Sequence, residues 1–281
     1  DHILFYGPPG LGKTTFAMAI ANEIGASVKI TSGPAIERQG DLAAILTGLK
    51  RNDILFIDEI HRLPKVIEEI LYPAMEDRVL DIVMGKGPSA KTIRLNLEPF
   101  TLIGATTQIG KISSPMRDRF GLRQRLDFFS QEDLVSILAR AARLWGLNID
   151  DDALNMLSGC SRGTARVGLR LLRRCRDYAG SREVENIDVD VVINTIKMLG
   201  IDKLGLEKID RELLLSLLDN FAGGPIGLST LAASVSEDEV TVTDVYEPYL
   251  MKCGFLKRTS RGRVLTQKGL KYIETFRYDE G

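Results

Sequence analysis

The run Gly7-Pro8-Pro9-Gly10-Leu11-Gly12-Lys13-Thr14-Thr15 has the spacing Gly-x-x-x-x-Gly-Lys-Thr, and each residue type in it suits a nucleoside triphosphate. Glycines remove the Cβ atoms that block close approach, so successive backbone N–H groups can turn inward around a β-phosphate. Lys13 brings a cation to the β/γ oxygens, and the Thr14 hydroxyl is a hard oxygen ligand suited to Mg²⁺. A second cluster, Asp58-Glu59, closes the apolar run Ile54-Leu55-Phe56-Ile57. Asp58 is placed to hold Mg²⁺, directly or through water, and Glu59 to polarise the attacking water. The two clusters together point to hydrolysis of a nucleoside triphosphate with Mg²⁺ as its cofactor.

Three further sets of polar residues belong to the same chemistry. The run Phe100-Thr101-Leu102-Ile103-Gly104-Ala105-Thr106-Thr107 ends in two hydroxyls, and Thr107 rather than Thr106 is expected to orient the water or sense the γ-phosphate. Arg117 and Arg119 flank Asp118 ahead of Phe120 and Gly121. As surface ion pairs they would contribute little; the other reading is a cation offered to a phosphate held by a neighbouring subunit. Arg166 falls in the first turn of an expected basic helix over 167–179 that carries Arg170, Arg173, Arg174 and Arg176. A cation there opposes the helix dipole, a conflict that a bound phosphate relieves; a solvated charge is the plain alternative.

These residues need elements to hold them. Residues 3–6 read as a short buried strand feeding the glycine loop, and 16–24 as a helix whose N-terminal end faces the phosphates. Residues 27–31 read as a strand and 41–49 as a helix. The run 54–57 is apolar on both faces, as a central parallel strand is, and ligands of open α/β sheets bind at the carboxyl ends of such strands. A helix is expected over 66–75. Residues 79–84 and 92–97, with Gly85-Lys86-Gly87-Pro88-Ser89 between them, read as a hairpin. Its first arm, Val79, Leu80, Ile82 and Val83, is broken only by Asp81. It either packs on its own domain or projects an apolar tip that docks a partner.

From Ser130 onward the pattern is helical alone, which sets a boundary near Phe129; a second falls within 200–205. Helices over 210–221, 228–235 and 240–252, a hairpin over 254–266 and a closing helix to about Phe276 make a winged helix of the helix-turn-helix type. Its expected recognition helix carries Asp244 and Glu247 against Lys252 alone, unlike a base-reading surface. Lys257, Arg258, Arg261 and Arg263 cluster on the wing, where cations grip phosphates without reading sequence.

At 281 residues the chain is long enough for two or three domains, each with its own core. No apolar run approaches the ~18 residues of a membrane span. The net charge of −1 removes any global attraction to polyanions and leaves only local basic patches. Cys160, Cys175 and Cys253 are widely spaced and read as buried, reduced thiols of a cytoplasmic protein. His2 and His61 lack the neighbours of a metal site. The chain begins directly before its first strand and reads as trimmed there.

Taken together, residues 7–15, Leu55-Phe56-Ile57-Asp58-Glu59-Ile60-His61-Arg62-Leu63, Gly85-Lys86-Gly87-Pro88-Ser89-Ala90, Gly104-Ala105-Thr106-Thr107, Ser114-Pro115-Met116-Arg117-Asp118-Arg119-Phe120-Gly121 and Val245-Tyr246-Glu247-Pro248-Tyr249-Leu250 resemble the AAA+ ATPases and, within them, the bacterial RuvB family of Holliday-junction branch-migration motors. The resemblance covers nearly the whole chain. It implies an α/β P-loop AAA+ domain over 1–129, a small helical lid over 130–202 and a winged-helix DNA-binding domain over 203–281. It implies a DNA translocase that works as a homohexameric ring on the duplex arms of a four-way junction. Its partners would be a RuvA-like junction-binding protein, which the family's hairpin contacts, and a RuvC-like resolvase, with no membrane involved. Arg119 would be the arginine finger acting in trans, Thr107 sensor 1 and Arg166 sensor 2, beside Lys13, Asp58 and Glu59. Two departures stand out: Ala165 where the family usually has proline, and Gln108 where it often has arginine. The family's adenine-contacting segment lies upstream of this chain. A clamp-loader or initiator-type ATP switch acting on DNA is the alternative. A protein-remodelling machine is disfavoured, because Ser32-Gly33-Pro34 stands where an aromatic-glycine pore loop would be.

Overall fold

From the third residue strands and helices follow one another, and the strands of the largest sheet all run the same way. The computed structural model describes residues 1–84 and 91–280, which form two compact units, Asp1–Asp127 and Phe128–Gly281. In the first unit the elements are β1 (Ile3–Tyr6), α1 (Lys13–Ile24), β2 (Val28–Ser32), α2 (Gln39–Thr47), β3 (Ile54–Asp58), α3 (Lys65–Glu76), β4 (Val79–Met84), β5 (Lys91–Asn96), β6 (Thr101–Thr106), α4 (Ser114–Asp118) and β7 (Leu122–Arg125). Five of them make a parallel sheet in the order β2-β3-β6-β1-β7.

The apolar run of β3 lies inside this sheet, between β2 and β6, with both its faces covered. Leu55 and Ile57 join Leu4 and Leu102 under α2 and α3, while Ile54 and Phe56 join Phe5, Ile103 and Ala105 under Ala17 and Ala21 of α1. Each such side chain contributes about 1.5–3 kcal/mol by leaving water. His2 pins the start of β1: its Nδ1 accepts the Leu102 N–H at 2.8 Å and its Nε2 lies 3.1 Å from the Met75 carbonyl oxygen. Burial lowers its pKa, so it packs as a neutral ring.

The strand β7 has no counterpart in the sequence reading. All four of its residues are exposed, so no apolar pattern announces it; it is an edge strand held by its backbone pairing to β1. The hairpin β4–β5 is antiparallel, with Leu80 opposite Leu95 and Ile82 opposite Ile93. Leu80 is fully buried in the first unit's core, and Ile82 and Leu95 pack against that core. Leu80 therefore belongs to the fold, and for this residue the docking-tip alternative is corrected in favour of packing on its own domain. Ile93 is exposed and Val79 is half-buried. Val83 is described only through its backbone pairing with Thr92, and the expected turn at 85–89 lies outside the described residues.

The second unit holds α5 (Gln131–Leu144), β8 (Asn148–Ile149), α6 (Asp151–Gly159), α7 (Ala165–Ser181), β9 (Asn186–Ile187), α8 (Val189–Met198), α9 (Lys208–Asp219), α10 (Leu228–Ser234), α11 (Glu239–Thr241), α12 (Glu247–Lys252), β10 (Leu256–Thr259), β11 (Gly262–Leu265) and α13 (Gln267–Glu280). The two-residue parallel pair β8–β9 breaks the expectation of helices alone. One core gathers Leu138, Leu157, Leu171, Leu172 and Val192, and another gathers Leu213, Leu217, Leu231, Leu250, Phe255 and Ile273. The single helix expected over 240–252 is instead α11 and α12 joined by a wide π-type turn at Val242–Tyr246. Pro248 has no N–H to donate one turn back, and the wider turn accommodates that loss. Among the described residues no helix is long and apolar enough to cross a membrane.

Candidate functional site

The glycine loop leaves β1 at Tyr6 and enters α1 at Lys13. Gly7, Gly10 and Gly12 adopt φ values of 142°, 80° and 81°, which other residues rarely take. A Cβ on Gly7 would stand 2.1 Å from the Leu126 carbonyl oxygen. Gly12 is the N-cap of α1, with no side-chain cap and no acid in the first turn. The first-turn N–H groups of α1 therefore look out of the loop without a side-chain acceptor, the standard setting for an anion. Lys13 is buried, and its ammonium donates to the Pro8 carbonyl at 2.8 Å, across the mouth of the loop. Thr14 is half-buried and Thr15 exposed. A triphosphate with a hard cation fits this donor set.

The sheet brings the second cluster to the same edge. Gly7 N–H donates to the Thr106 carbonyl at 3.2 Å, and β6 lies between β1 and β3, so the glycine loop and Asp58 sit about two strand spacings, ~10 Å, apart. Asp58 Oδ1 accepts the Glu59 N–H at 2.9 Å, which turns the chain sharply: Glu59 has φ 47° and ψ 42°. The Glu59 carboxylate meets Arg62 at 3.1 Å, both side chains being about half exposed. The two threonines separate cleanly. Thr106 is buried, its hydroxyl 3.0 Å from His61 Nδ1 and accepting the Gln108 N–H at 2.9 Å. Thr107 is exposed at the edge. Sequence reasoning gave His61 no part; its bond to Thr106 ties the segment after Asp58 to the end of β6.

Arg119 lies at the opposite edge. It precedes β7, whose first residue, Leu122, pairs with Ile3 at the start of β1 and donates to the His2 carbonyl at 3.1 Å. Four strand residues, ~13 Å, therefore separate the level of Arg119 from the glycine loop. Arg119 donates to the Pro115 carbonyl at 2.7 Å and to Glu76 at 3.2 Å, over the ring of Tyr72. Arg117 donates to Ser114 at 2.9 Å. A cavity of about 810 Å³ opens at this same edge, lined by Arg119, Arg78, Arg51 and Lys50, away from the glycine loop.

In the second unit Arg166 is exposed in the first turn of α7, which has no acid there. Thr164 caps that helix by accepting the Val167 N–H at 3.4 Å. Just upstream, Arg162 is buried at φ 54° and donates through both terminal nitrogens to the fully buried Asp210 of α9. Burial opposes the charge on Arg162, and its bonds to Asp210 more than restore it, so its pKa is raised. Nothing in the sequence marked Arg162, because its partner is 48 positions away.

On the wing, Lys257 and Arg261 are exposed. Arg258 and Arg263 both donate to Glu247, whose side chain is only 1% exposed. Glu247 is thus a buried, neutralised carboxylate and not an acidic patch on the recognition helix. Arg263, at 16% side-chain exposure, braces the wing against α12, and Arg258 extends further into solvent.

Comparison with known proteins matches nearly the whole chain. Family models described as the Holliday junction DNA helicase RuvB P-loop domain, the RuvB AAA lid domain and the RuvB C-terminal winged helix domain match residues 1–126, 129–202 and 203–274. The Holliday junction branch migration complex subunit RuvB of Fusobacterium nucleatum is 54% identical over 274 residues, which is 98% of this chain and 82% of that protein. The structure of the Thermotoga maritima RuvB Holliday junction branch migration motor superposes with a TM-score of 0.87 at 46% identity, over 98% of this chain and 87% of that one. A Thermotoga maritima RuvB point mutant gives 0.89 at 47% identity, over 98% and 88%.

Proposed function

The chain belongs to the RuvB family, and from that premise we propose that it is an ATP-driven motor that moves the branch point of a four-way DNA junction. The observation that carries the mechanism is the length of sheet between the glycine loop and Arg119. Lys13, Thr14, Asp58, Glu59 and Thr107 belong to one edge, and Arg119, ahead of β7 at the other, is out of reach of its own loop. It therefore serves a phosphate bound by a neighbouring subunit, as in a homohexameric ring.

Backbone N–H groups of Gly10, Leu11, Gly12 and Lys13 and the Lys13 ammonium hold the β- and γ-phosphates, and Thr14 and Asp58 would hold Mg²⁺. Held there, the cation would neutralise part of the triphosphate's negative charge. Glu59 accepts a proton from the attacking water. Its contact with Arg62 is an exposed pair of the kind worth about 0–1 kcal/mol, readily exchanged for water. Thr107 holds that water in line. Arg119 from the next subunit and Arg166 in cis stabilise the charge that develops on the transferred phosphoryl group. An arginine acting in trans is worth about 10³-fold or more in rate, so turnover depends on assembly.

On DNA, Lys257, Arg258, Arg261 and Arg263 hold phosphates, which gives binding largely independent of sequence. The β4–β5 hairpin, on which Ile93 is exposed, meets a RuvA-like junction-binding protein, and a RuvC-like resolvase completes the cytoplasmic assembly. The domains run 1–129, 130–202 and 203–281. The test is a synthetic four-way junction incubated with the protein, ATP, Mg²⁺ and a junction-binding partner. Conversion to two duplexes, abolished by Lys13→Ala, is expected. Hydrolysis of ATP that leaves the junction intact would overturn the reading.

A further inference from the structure

The face of α3 that meets Arg119 carries Glu68, Tyr72 and Glu76, one helical turn apart from each other and so stacked along the helix. The Arg119 guanidinium carbon lies 4.3 Å from the centre of the Tyr72 ring. One terminal nitrogen donates to the Pro115 carbonyl at 2.7 Å and the other to Glu76 at 3.2 Å. A ring beneath and an acceptor at each end fix both the plane and the rotation of the group. Guanidinium carries five N–H donors. Among the described residues Pro115 and Glu76 engage one nitrogen each, and a second hydrogen remains on each of those nitrogens.

The ring is itself held. The Tyr72 hydroxyl lies 3.3 Å from Glu68 Oε2 and 3.1 Å from Ser113 Oγ, and Ser113 donates to the same Glu68 oxygen at 2.6 Å. Ser113 is also the N-cap of α4, accepting the Met116 N–H at 3.3 Å. Glu68 is buried. One network therefore fixes both the ring under Arg119 and the start of the helix that delivers Arg119. The helix that bears this network begins six positions after Glu59, at Lys65, and ends on Glu76 itself.

We propose that Tyr72 and Glu76, seated by Glu68 and Ser113, are positioning residues that hold the Arg119 guanidinium flat and aimed at the γ-phosphate of ATP bound by a neighbouring subunit. The proposal rests on Arg119 acting in trans. A long arginine left to sample its rotamers would reach the phosphate in a small share of encounters, and loss of alignment by about 1 Å is enough to cost about 10²-fold in rate. The effect falls on turnover, because the phosphate that Arg119 reaches is already bound by the neighbour's own loop.

The experiment is steady-state ATP hydrolysis by the full chain assembled on duplex DNA. Tyr72→Leu removes the ring face and Tyr72→Phe keeps it; Glu76→Ala removes the carboxylate, and Arg119→Ala is the reference. Tyr72→Leu is expected to lower kcat about 10²-fold with KM for ATP within about twofold, and Tyr72→Phe to retain most of the turnover. Glu76→Ala, a change at an exposed side chain, is expected to lower kcat in the same sense and carries the test if Tyr72→Leu does not fold. Adding Lys13→Ala subunits, which bind no nucleotide but carry an intact Arg119, is expected to restore turnover at the loops of the Tyr72→Leu or Glu76→Ala subunits. If Arg119→Ala abolishes turnover while Tyr72→Leu and Glu76→Ala leave kcat within about twofold, or if Glu76→Ala raises it, the positioning role is overturned. If Arg119→Ala itself keeps full turnover, the trans reading beneath it fails instead.

Discussion

Replacing Asp210 by alanine strips the buried Arg162 of its charge partner, and the structure sets the size of the loss. Arg162 is 8% exposed. Without Asp210 its remaining contacts are the Gly205 carbonyl at 3.4 Å and the face of Tyr249 at 4.6 Å. The Glu207 N–H, which donates to Asp210 at 2.8 Å, loses its acceptor too. Removing one partner of a buried ion pair costs about 3–5 kcal/mol, a large share of the 5–15 kcal/mol typical of a domain. With an m-value of about 2 kcal/mol per molar urea, the midpoint should fall by about 1.5–2.5 M. The assay is urea unfolding followed by fluorescence of Trp145, the single tryptophan, which lies in the same unit with Arg173 over its ring at 5.1 Å. Arg162→Met combined with Asp210→Leu removes both charges and should recover most of the loss. A cost below about 1 kcal/mol for Asp210→Ala, or no recovery in the double variant, would refute the reasoning. Because Arg162 stands four positions before Arg166, this pair also ties the segment leading into α7 to α9, the first helix of the winged-helix region.

Gly7→Ala should cut ATP affinity more than about tenfold, since the new Cβ would press on the Leu126 carbonyl at 2.1 Å and φ is 142°; titration with a fluorescent ATP analogue reads it. On the wing, Arg261→Ala should weaken binding to all duplexes alike and lower the salt slope by about 1, with the melting temperature unchanged. Arg263→Ala should lower the melting temperature as well, because it leaves the buried Glu247 half-paired. Burial pushes the Cys160 thiol up to about 12 and the Cys175 thiol up to about 11. Neither should react with a thiol reagent at pH 8 until the protein is denatured, when all three cysteines become reactive. The folded state binds these protons more tightly than the unfolded chain, so their contribution to stability is complete below about pH 8.5 and is lost as pH rises toward 12, which urea midpoints across that range will show.

The catalytic half of the account was legible because its residues are local. A glycine loop after a strand, and paired acids closing an apolar run, carry their own geometry, and the parallel sheet follows from a β3 that is apolar on both faces. Thr107 is preferred to Thr106 at the polar end of the strand, and the fold buries Thr106 beside His61 while leaving Thr107 exposed. What stayed hidden depends on partners far along the chain. Edge strand β7 is made by backbone pairing alone and its residues are polar. Leu80 looks like its neighbours in an apolar run until the core closes over it. Glu247 reads as an exposed acid until two wing arginines fold onto it, and Arg162 looks like any loop arginine until Asp210 arrives. The seat of Arg119 is of the same kind, spread over Glu68, Tyr72, Glu76, Ser113 and Pro115.

The central claim is that each hydrolytic site is completed by two subunits, and mixing two inactive variants tests it most directly. Lys13→Ala lacks a working loop but carries Arg119; Arg119→Ala has the loop but offers no cation to its neighbour. Each alone, on duplex DNA, should hydrolyse ATP at least about 10³-fold more slowly than the unaltered protein. Mixed in equal amounts, they should regain a substantial fraction of turnover, because some Arg119→Ala loops then face a Lys13→Ala neighbour. Mixtures no more active than either variant alone would contradict a shared site.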